Sequence, residues 1–249
     1  MNERNAKMNL QEGMLLAALV IVSFSRADAI SDGDLEAGIM QVTRIFDNPR
    51  MADYEMRCLI RLCDGDTNRF TAALANLAVR HPEEMPFMLQ EIGRYGNATN
   101  LPFLYACVTN SPHADCAVMA CVRIGGVTSN LINALEMRFS ETNLPHMMVN
   151  EICQHLLPPV WVGRRNFDFT EEERARGLDF VVRHAAAETL YVDTIDGVLK
   201  ASDPTYARSR RRLGVMQALL AKGPHPSSVS YVTNVIHELT SCPETDLSD

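Results

Sequence analysis

Arginines at recurring positions are the residues whose type and spacing most directly suggest chemistry. Arg61, Arg94 and Arg123 each lie near the end of an apolar helical pattern, at similar intervals along the chain. On stacked helices about 8–10 Å apart, these side chains form a ladder that can bind carboxylates or other anions. A second interpretation is open, because an arginine in the last turn of a helix can bond the terminal carbonyls and favour the helix dipole. We predict these three arginines as partner-binding residues.

A denser run of arginines follows later in the chain. Arg208, Arg210, Arg211 and Arg212 fall within five residues, which covers more than one face of a helix, so some of them must be solvated. They either form a patch for an acidic partner or anionic surface, or form a solvated helix face paired with carboxylates such as Glu171 to Glu173. We count Arg208 and Arg211 among the predicted partner-binding residues.

The only tryptophan, Trp161, lies in a segment that interrupts the helical pattern. An exposed tryptophan beside the neighbouring Arg164 and Arg165 suits a binding hot spot. A buried one would instead fill the joint between helices. Trp161 is therefore a further candidate for partner binding.

Catalytic and metal-binding patterns are missing from the sequence. The seven histidines are scattered, and there is no His-Glu-x-x-His pattern, Asp-rich calcium loop, Gly-rich phosphate loop or Gly-x-Ser-x-Gly turn. The seven cysteines include no Cys-x-x-Cys, and most are expected to be buried free thiols. We expect no metal, no cofactor and no catalytic residue, unless an acid–base pair is assembled from distant parts of the chain.

Composition indicates a globular helical protein. Hydrophobic residues make up 47% of the 249 residues and charged residues 22%, which allows a packed core. Aromatic residues are few at 6% and there are 13 methionines, which favours helix-on-helix packing over a β-sandwich. The net charge of −8 does not attract nucleic acid.

The amino-terminal segment resembles an export signal. Met14 to Phe24 is an uncharged run of apolar or small residues, too short to cross a bilayer, which takes about 20 residues. Ala27-Asp28-Ala29 then matches a cleavage pattern, so residues 1–29 are expected to be a signal peptide. The mature protein would be periplasmic or secreted, without stable membrane insertion. Glu3 and Glu12 leave open a first helix that is buried or rests on a membrane.

The rest of the chain has a helical period nearly throughout, with short breakers that predict antiparallel neighbouring helices. Asp34 and Thr67 are predicted helix caps, Gly125-Gly126 a helix end, and Thr170 with Glu173 a capping box. The predicted organisation is helical repeats over 30–157, an irregular loop over 158–169, further helices over 170–240 and an acidic tail over 241–249.

Two stretches of the sequence repeat each other. Ile92-Gly93-Arg94-Tyr95-Gly96-Asn97 corresponds to Cys121-Val122-Arg123-Ile124-Gly125-Gly126, and Leu59 to Asp64 is a weaker copy. A period of roughly 30 residues is one helix pair, which must stack on its neighbours to bury its apolar face.

These stretches resemble HEAT repeats, whose second helix ends in a Leu-Gly-Lys-Ile-Gly-Asp-like run before a helix that begins near a proline. The resemblance covers roughly residues 47–157, and a weaker part over 203–240. Asn110 stands near the position of the turn aspartate of that family, and Cys116-Ala117 replaces its Val-Arg pair. The resemblance implies an all-α, right-handed stack of antiparallel helix pairs, an α-solenoid that binds a protein partner and has no catalytic residues.

The sequence thus predicts an exported, non-enzymatic scaffold for protein–protein interaction. Two alternatives stay open. One is an exported all-α enzyme whose active site has no recognisable pattern. The other is a structural helper in a larger envelope assembly, with methionines at its contact surface.

Overall fold

The computed structural model describes residues 30–45, 52–140, 144–157, 169–184, 205–224 and 226–243, together with the single positions 192, 196, 197, 200 and 247. Across these residues the secondary structure is helical and contains no β-strand. The prediction of an all-α protein is therefore confirmed. The predicted signal peptide over 1–29 and nearly all of the predicted loop over 158–169, including Trp161, lie outside the described residues.

Eleven α-helices are present in this part of the chain: α1 (Asp32–Ile45), α2 (Asp53–Leu62), α3 (Thr67–Arg80), α4 (Met85–Tyr95), α5 (Leu101–Asn110), α6 (Ala114–Gly125), α7 (Ser129–Phe139), α8 (His146–His155), α9 (Glu171–His184), α10 (Arg210–Ala221) and α11 (Pro226–Ser241). Short 3₁₀ turns precede α4, α5 and α10. None of the helices in the described ranges combines the length and the apolar character needed to cross a membrane.

The chain divides into two compact units, Met1–Leu104 and Tyr105–Asp249. In the first unit, α3 packs against α1, α2 and α4. Its inward side chains, among them Phe70, Leu74 and Leu77, are fully or almost fully buried. Arg69 ties α3 to the start of α1, because its Nε donates to the carboxylate of Asp32 at 2.8 Å.

Side-chain caps begin three of the helices or their leading turns at equal intervals. Asp66 accepts the backbone N–H groups of Asn68 and Arg69 before α3, Asn97 caps the turn before α5, and Thr128 caps α7. The interval between successive caps has the length of one helix pair, about 30 residues. The predicted cap of α3, Thr67, was wrong by one residue, because the preceding residue, Asp66, accepts the free N–H groups of the first turn. Asp34 is likewise not the cap of α1, because its own N–H donates to Ser31 Oγ at 3.2 Å.

The amino ends of α3 and α5 lie side by side. Asn97 Nδ2 donates to Asn68 Oδ1 at 2.6 Å, and Asn100 Nδ2 donates to Thr71 Oγ1 at 3.2 Å. In each contact the two residues are 29 positions apart in the sequence. These hydrogen bonds give the buried side chains of Thr71 and Asn100 a partner. They also hold the amino ends of α3 and α5 in one relative position.

In the second unit, α6 packs against α8, and α9 packs against α7, α8 and α10, while α10 packs on α11. The predicted capping box opens α9: Thr170 N–H donates to Glu173 Oε2 at 2.8 Å, and Glu173 N–H donates to Thr170 Oγ1 at 3.2 Å. The predicted helix end at Gly125-Gly126 is also confirmed, because α6 ends at Gly125 and Gly126 has φ +73°. The carboxylate of Glu173 fills the space that a Cβ on Gly126 would need.

Candidate functional site

One side of α2 presents an aromatic ring and two arginines to solvent. Tyr54 is 67% exposed, the side chain of Arg57 is 63% exposed, and Arg61 is exposed. Because these residues are three and four positions apart, they form one stripe along the helix. We call Tyr54, Arg57 and Arg61 the α2 face.

The opposite side of α2 holds the helix in the first unit. Met56 and Leu59 are buried, and α2 packs against both α1 and α3. An amphipathic helix anchored in this way presents its outer side chains on a fixed backbone. The α2 face is therefore a surface supported by a packed core.

Arg94 lies in an ion-pair cluster between α2 and α4. Its Nη1 is 3.0 Å from Asp53 Oδ1 and 3.3 Å from Glu91 Oε1. Tyr95 OH donates to the same Asp53 oxygen at 2.6 Å, while Arg57 Nε is 3.0 Å from Asp53 Oδ2. Asp53 thus connects the end of α4 to the α2 face.

The electrostatics of this cluster favour a charged Asp53. Burial works to raise the pKa of Asp53, but hydrogen bonds from Tyr95 and Arg57 and the positive charge of Arg94 outweigh it and lower that pKa. Burial and the hydrogen bond to Asp53 raise the pKa of Tyr95 to about 12. The carboxylate therefore stays ionised and bound at neutral pH.

The predicted arginines fall into different environments. Arg94 is partly buried in the cluster with Asp53 and Glu91, whereas the side chain of Arg61 makes no hydrogen bond or ion pair with the described residues. Arg123 is exposed in the last turn of α6. Arg208 is exposed in the turn before α10, and Arg211 is half-buried in the first turn of that helix. Their role in partner binding stays a prediction.

Within the second arginine run, the buried member is one that the prediction did not single out. Arg212 is buried, and its Nη2 lies 2.7 Å from Oδ2 of the fully buried Asp196. Lys200 Nζ is 3.0 Å from the same oxygen, and Tyr231 OH also donates to it. Because Arg212 and Asp196 are 16 positions apart in the sequence, spacing along the sequence gave no indication of this pair.

Two of the acidic residues Glu171 to Glu173 have other partners among the described residues. Glu172 Oε1 pairs with Arg176 Nη1 at 2.5 Å, and Glu173 belongs to the capping box of α9. For Glu172 and Glu173, these contacts do not support the interpretation that the glutamates pair with the arginines from Arg208 to Arg212. The partner of Arg212 comes instead from a position nearer in the chain.

Two groups of titratable residues lie between helices of the second unit. Glu151 on α8 lies near Asp115 on α6, and burial together with Asp115 raises the pKa of Glu151. Glu136 Oε2 on α7 is 2.9 Å from His184 Nε2 on α9, while its Oε1 is 2.6 Å from Arg183. In the described part of the chain, no three His, Cys, Asp or Glu side chains group as metal ligands would.

No protein-family model, curated protein or solved structure matches the chain. Its function must therefore be inferred from the residues of this chain and their contacts.

Proposed function

We propose that the chain is a non-enzymatic helical-repeat scaffold that binds a protein partner through exposed arginines. The observation that carries the proposal is the α2 face, where Tyr54 is 67% exposed on a helix whose other side is buried against its neighbours. Tyrosine and arginine are the residue types enriched, with tryptophan, at the energetically dominant positions of protein interfaces. The proposal includes Arg61 and Arg123 as partner contacts.

The regular spacing of helix caps supports a repeat. Asp66, Asn97 and Thr128 follow one another at equal intervals, close to the period at which the sequence repeats. The side-by-side amino ends of α3 and α5 are the kind of contact that stacked helix pairs make. We propose a right-handed α-solenoid of the HEAT type on these grounds.

Export is part of the same proposal. The apolar run Met14 to Phe24 and the Ala27-Asp28-Ala29 pattern support a signal peptide that is removed before Ile30. Expression of the whole chain in a bacterial host, followed by amino-terminal sequencing of the product from periplasm and medium, tests it. A product that keeps Met1 and stays in the cytoplasm would contradict export.

Affinity capture with a charge-reversed variant tests the binding function. Tagged wild-type chain and the double variant Arg61→Glu/Arg123→Glu are compared, with Arg44→Glu as control because Arg44 is exposed in the last turn of α1. We expect the wild type and Arg44→Glu to retain the same partner and the double variant to lose it. Arg94 is left intact, since its change would break the ion pair with Asp53.

Identical captured proteins from all three chains, with unchanged helical circular dichroism, would remove the assignment of these arginines. Turnover of generic ester, glycoside or phosphate substrates by the purified chain would contradict the non-enzymatic part of the proposal.

A further inference from the structure

The α2 face also limits the chemistry of the partner, and this inference rests on the proposed function. We propose that the face binds an acidic segment of the partner protein, whose carboxylates pair with Arg57 and Arg61 and whose apolar side chain covers Tyr54.

The spacing of the face fits a short peptide segment. At a rise of about 1.5 Å per residue, Tyr54 and Arg61 are about 10 Å apart along the helix and Arg57 and Arg61 about 6 Å apart. Carboxylates one turn apart on a helix, or two residues apart on an extended strand, have the same separation of about 6 Å. One acidic segment can therefore reach both arginines at once.

The two arginines of the α2 face keep part of their positive charge, because the nearby carboxylates Asp53 and Asp66 also have other partners and Glu55 is half-buried. Asp53 is bound by Arg94 and Tyr95 as well as by Arg57. Asp66 accepts the backbone N–H groups that begin α3. Asp64 remains exposed beyond the end of α2, so it offsets only part of the charge.

Arg57 is already oriented before a partner arrives. Its Nε is held 3.0 Å from Asp53 Oδ2, while 63% of its side chain is still exposed. A side chain that is ordered in the free protein loses less rotamer entropy on binding. Arg61 makes no ion pair with the described residues, so a partner carboxylate would supply the counter-charge that it lacks.

Fluorescence anisotropy with two labelled probe peptides tests this partner chemistry. Both probes have the same length; one is built of Glu and Leu, and the other of Lys and Leu. We expect the full chain to bind the acidic probe at least tenfold more tightly than the basic one, and this preference to weaken as salt is raised. Arg61→Glu should lower the affinity for the acidic probe about tenfold, and Tyr54→Ala several-fold, whereas Arg44→Glu should change it less than twofold.

Charge reversal at Arg61 gives a second test, because it predicts a gain of affinity for the basic probe as well as a loss for the acidic one. Arg61→Glu should bind the basic probe more tightly than the wild type does, and Arg61→Gln should weaken the acidic probe without that gain. Equal binding of both probes to the wild type, or an acidic probe that is insensitive to Arg61→Glu, would overturn the inference. If the acidic probe does not bind but the double variant Arg61→Glu/Arg123→Glu still loses the cellular partner, the partner is not acidic and the proposed function stands. If the acidic probe does not bind and the double variant keeps the partner, both proposals are wrong.

Discussion

Arg212 binds Asp196 through two hydrogen bonds, from Nε to Oδ1 at 2.9 Å and from Nη2 to Oδ2 at 2.7 Å. Both side chains are buried. The third nitrogen, Nη1, donates to the carbonyl of Ala207 at 2.8 Å, and Tyr231 of α11 donates to Asp196. The guanidinium of Arg212 thus connects the start of α10 to the turn before it. Through the shared carboxylate of Asp196 it is also connected to α11.

Removing one partner of this pair should be strongly destabilising. Arg212→Met would leave the buried carboxylate of Asp196 without its main counter-charge, which costs about 3–5 kcal/mol. Arg211→Met, one residue earlier and only half-buried, should change the free energy of unfolding by about 0.5 kcal/mol or less. Urea unfolding followed by circular dichroism measures both.

The double variant Arg212→Met/Asp196→Leu provides the control, because it removes the buried carboxylate together with its buried counter-charge and leaves only the partly exposed Lys200 without its ion-pair partner. It should recover most of the stability lost in Arg212→Met. If Arg212→Met unfolds at the same urea concentration as Arg211→Met, the pair does not hold this part of the chain together.

Gly126 should tolerate alanine less well than Gly223, another glycine with a positive φ. Gly126 and Gly223 have φ +73° and +71°, so a change to alanine strains the backbone at either position, by roughly 1–3 kcal/mol. At Gly126 ψ is −164°, a combination that is essentially restricted to glycine. Only at Gly126 does the new Cβ collide with a neighbour, the Glu173 carboxylate that caps α9. Loss of that cap adds about 1 kcal/mol, so Gly126→Ala should lower the melting temperature clearly more than Gly223→Ala. Equal shifts would show that Glu173 moves aside at no cost.

Local features of the fold could be predicted from the sequence because they depend on neighbouring residues. Thr170 and Glu173 are three positions apart, and the helix that they begin is the predicted one. The end of α6 at Gly125-Gly126 followed in the same way from glycine's access to positive φ. The cap of α3 was misplaced by one residue because Asp66 and Thr67 are both good caps.

Long-range pairings could not be predicted, since they depend on how helices pack. Arg94 was expected to act at a helix end or on a partner, yet it contacts Asp53, which is far away in the sequence. Arg212 looked like its neighbours in a basic run, yet it is the buried one. The sequence contains many arginines and carboxylates that could form ion pairs. Which of them do so depends on how the helices pack.

The pair of Asp53 and Arg94 should contribute modestly to stability. Asp53→Asn and Arg94→Gln, measured singly and together, give a double-mutant cycle. Because both side chains keep about a third of their exposure, we expect a coupling energy of about 1 kcal/mol, smaller than for a fully buried pair. Urea unfolding of the four chains measures it, and a coupling energy of zero would show that Asp53 and Arg94 act independently.

His155 should make the protein less stable as the solution becomes acidic. Burial lowers the pKa of His155, Arg123 lowers it further, and Asp115 opposes them. Because the pKa in the folded state lies below the unfolded value of about 6.5, the folded state binds fewer protons. The stabilisation is therefore complete above about pH 6.5 and is lost as the pH falls through the folded-state pKa.

Replacing this histidine by a side chain that does not titrate should flatten that dependence. His155→Gln should lose less stability between pH 7 and pH 5 than the wild type does, whereas His237→Gln, at an exposed position of α11, should follow the wild type. The free energy of urea unfolding at half-unit pH intervals gives the three slopes. A His155→Gln slope as steep as that of the wild type would mean that His155 is protonated as readily in the folded chain as in the unfolded one, and that the acid sensitivity comes from other groups.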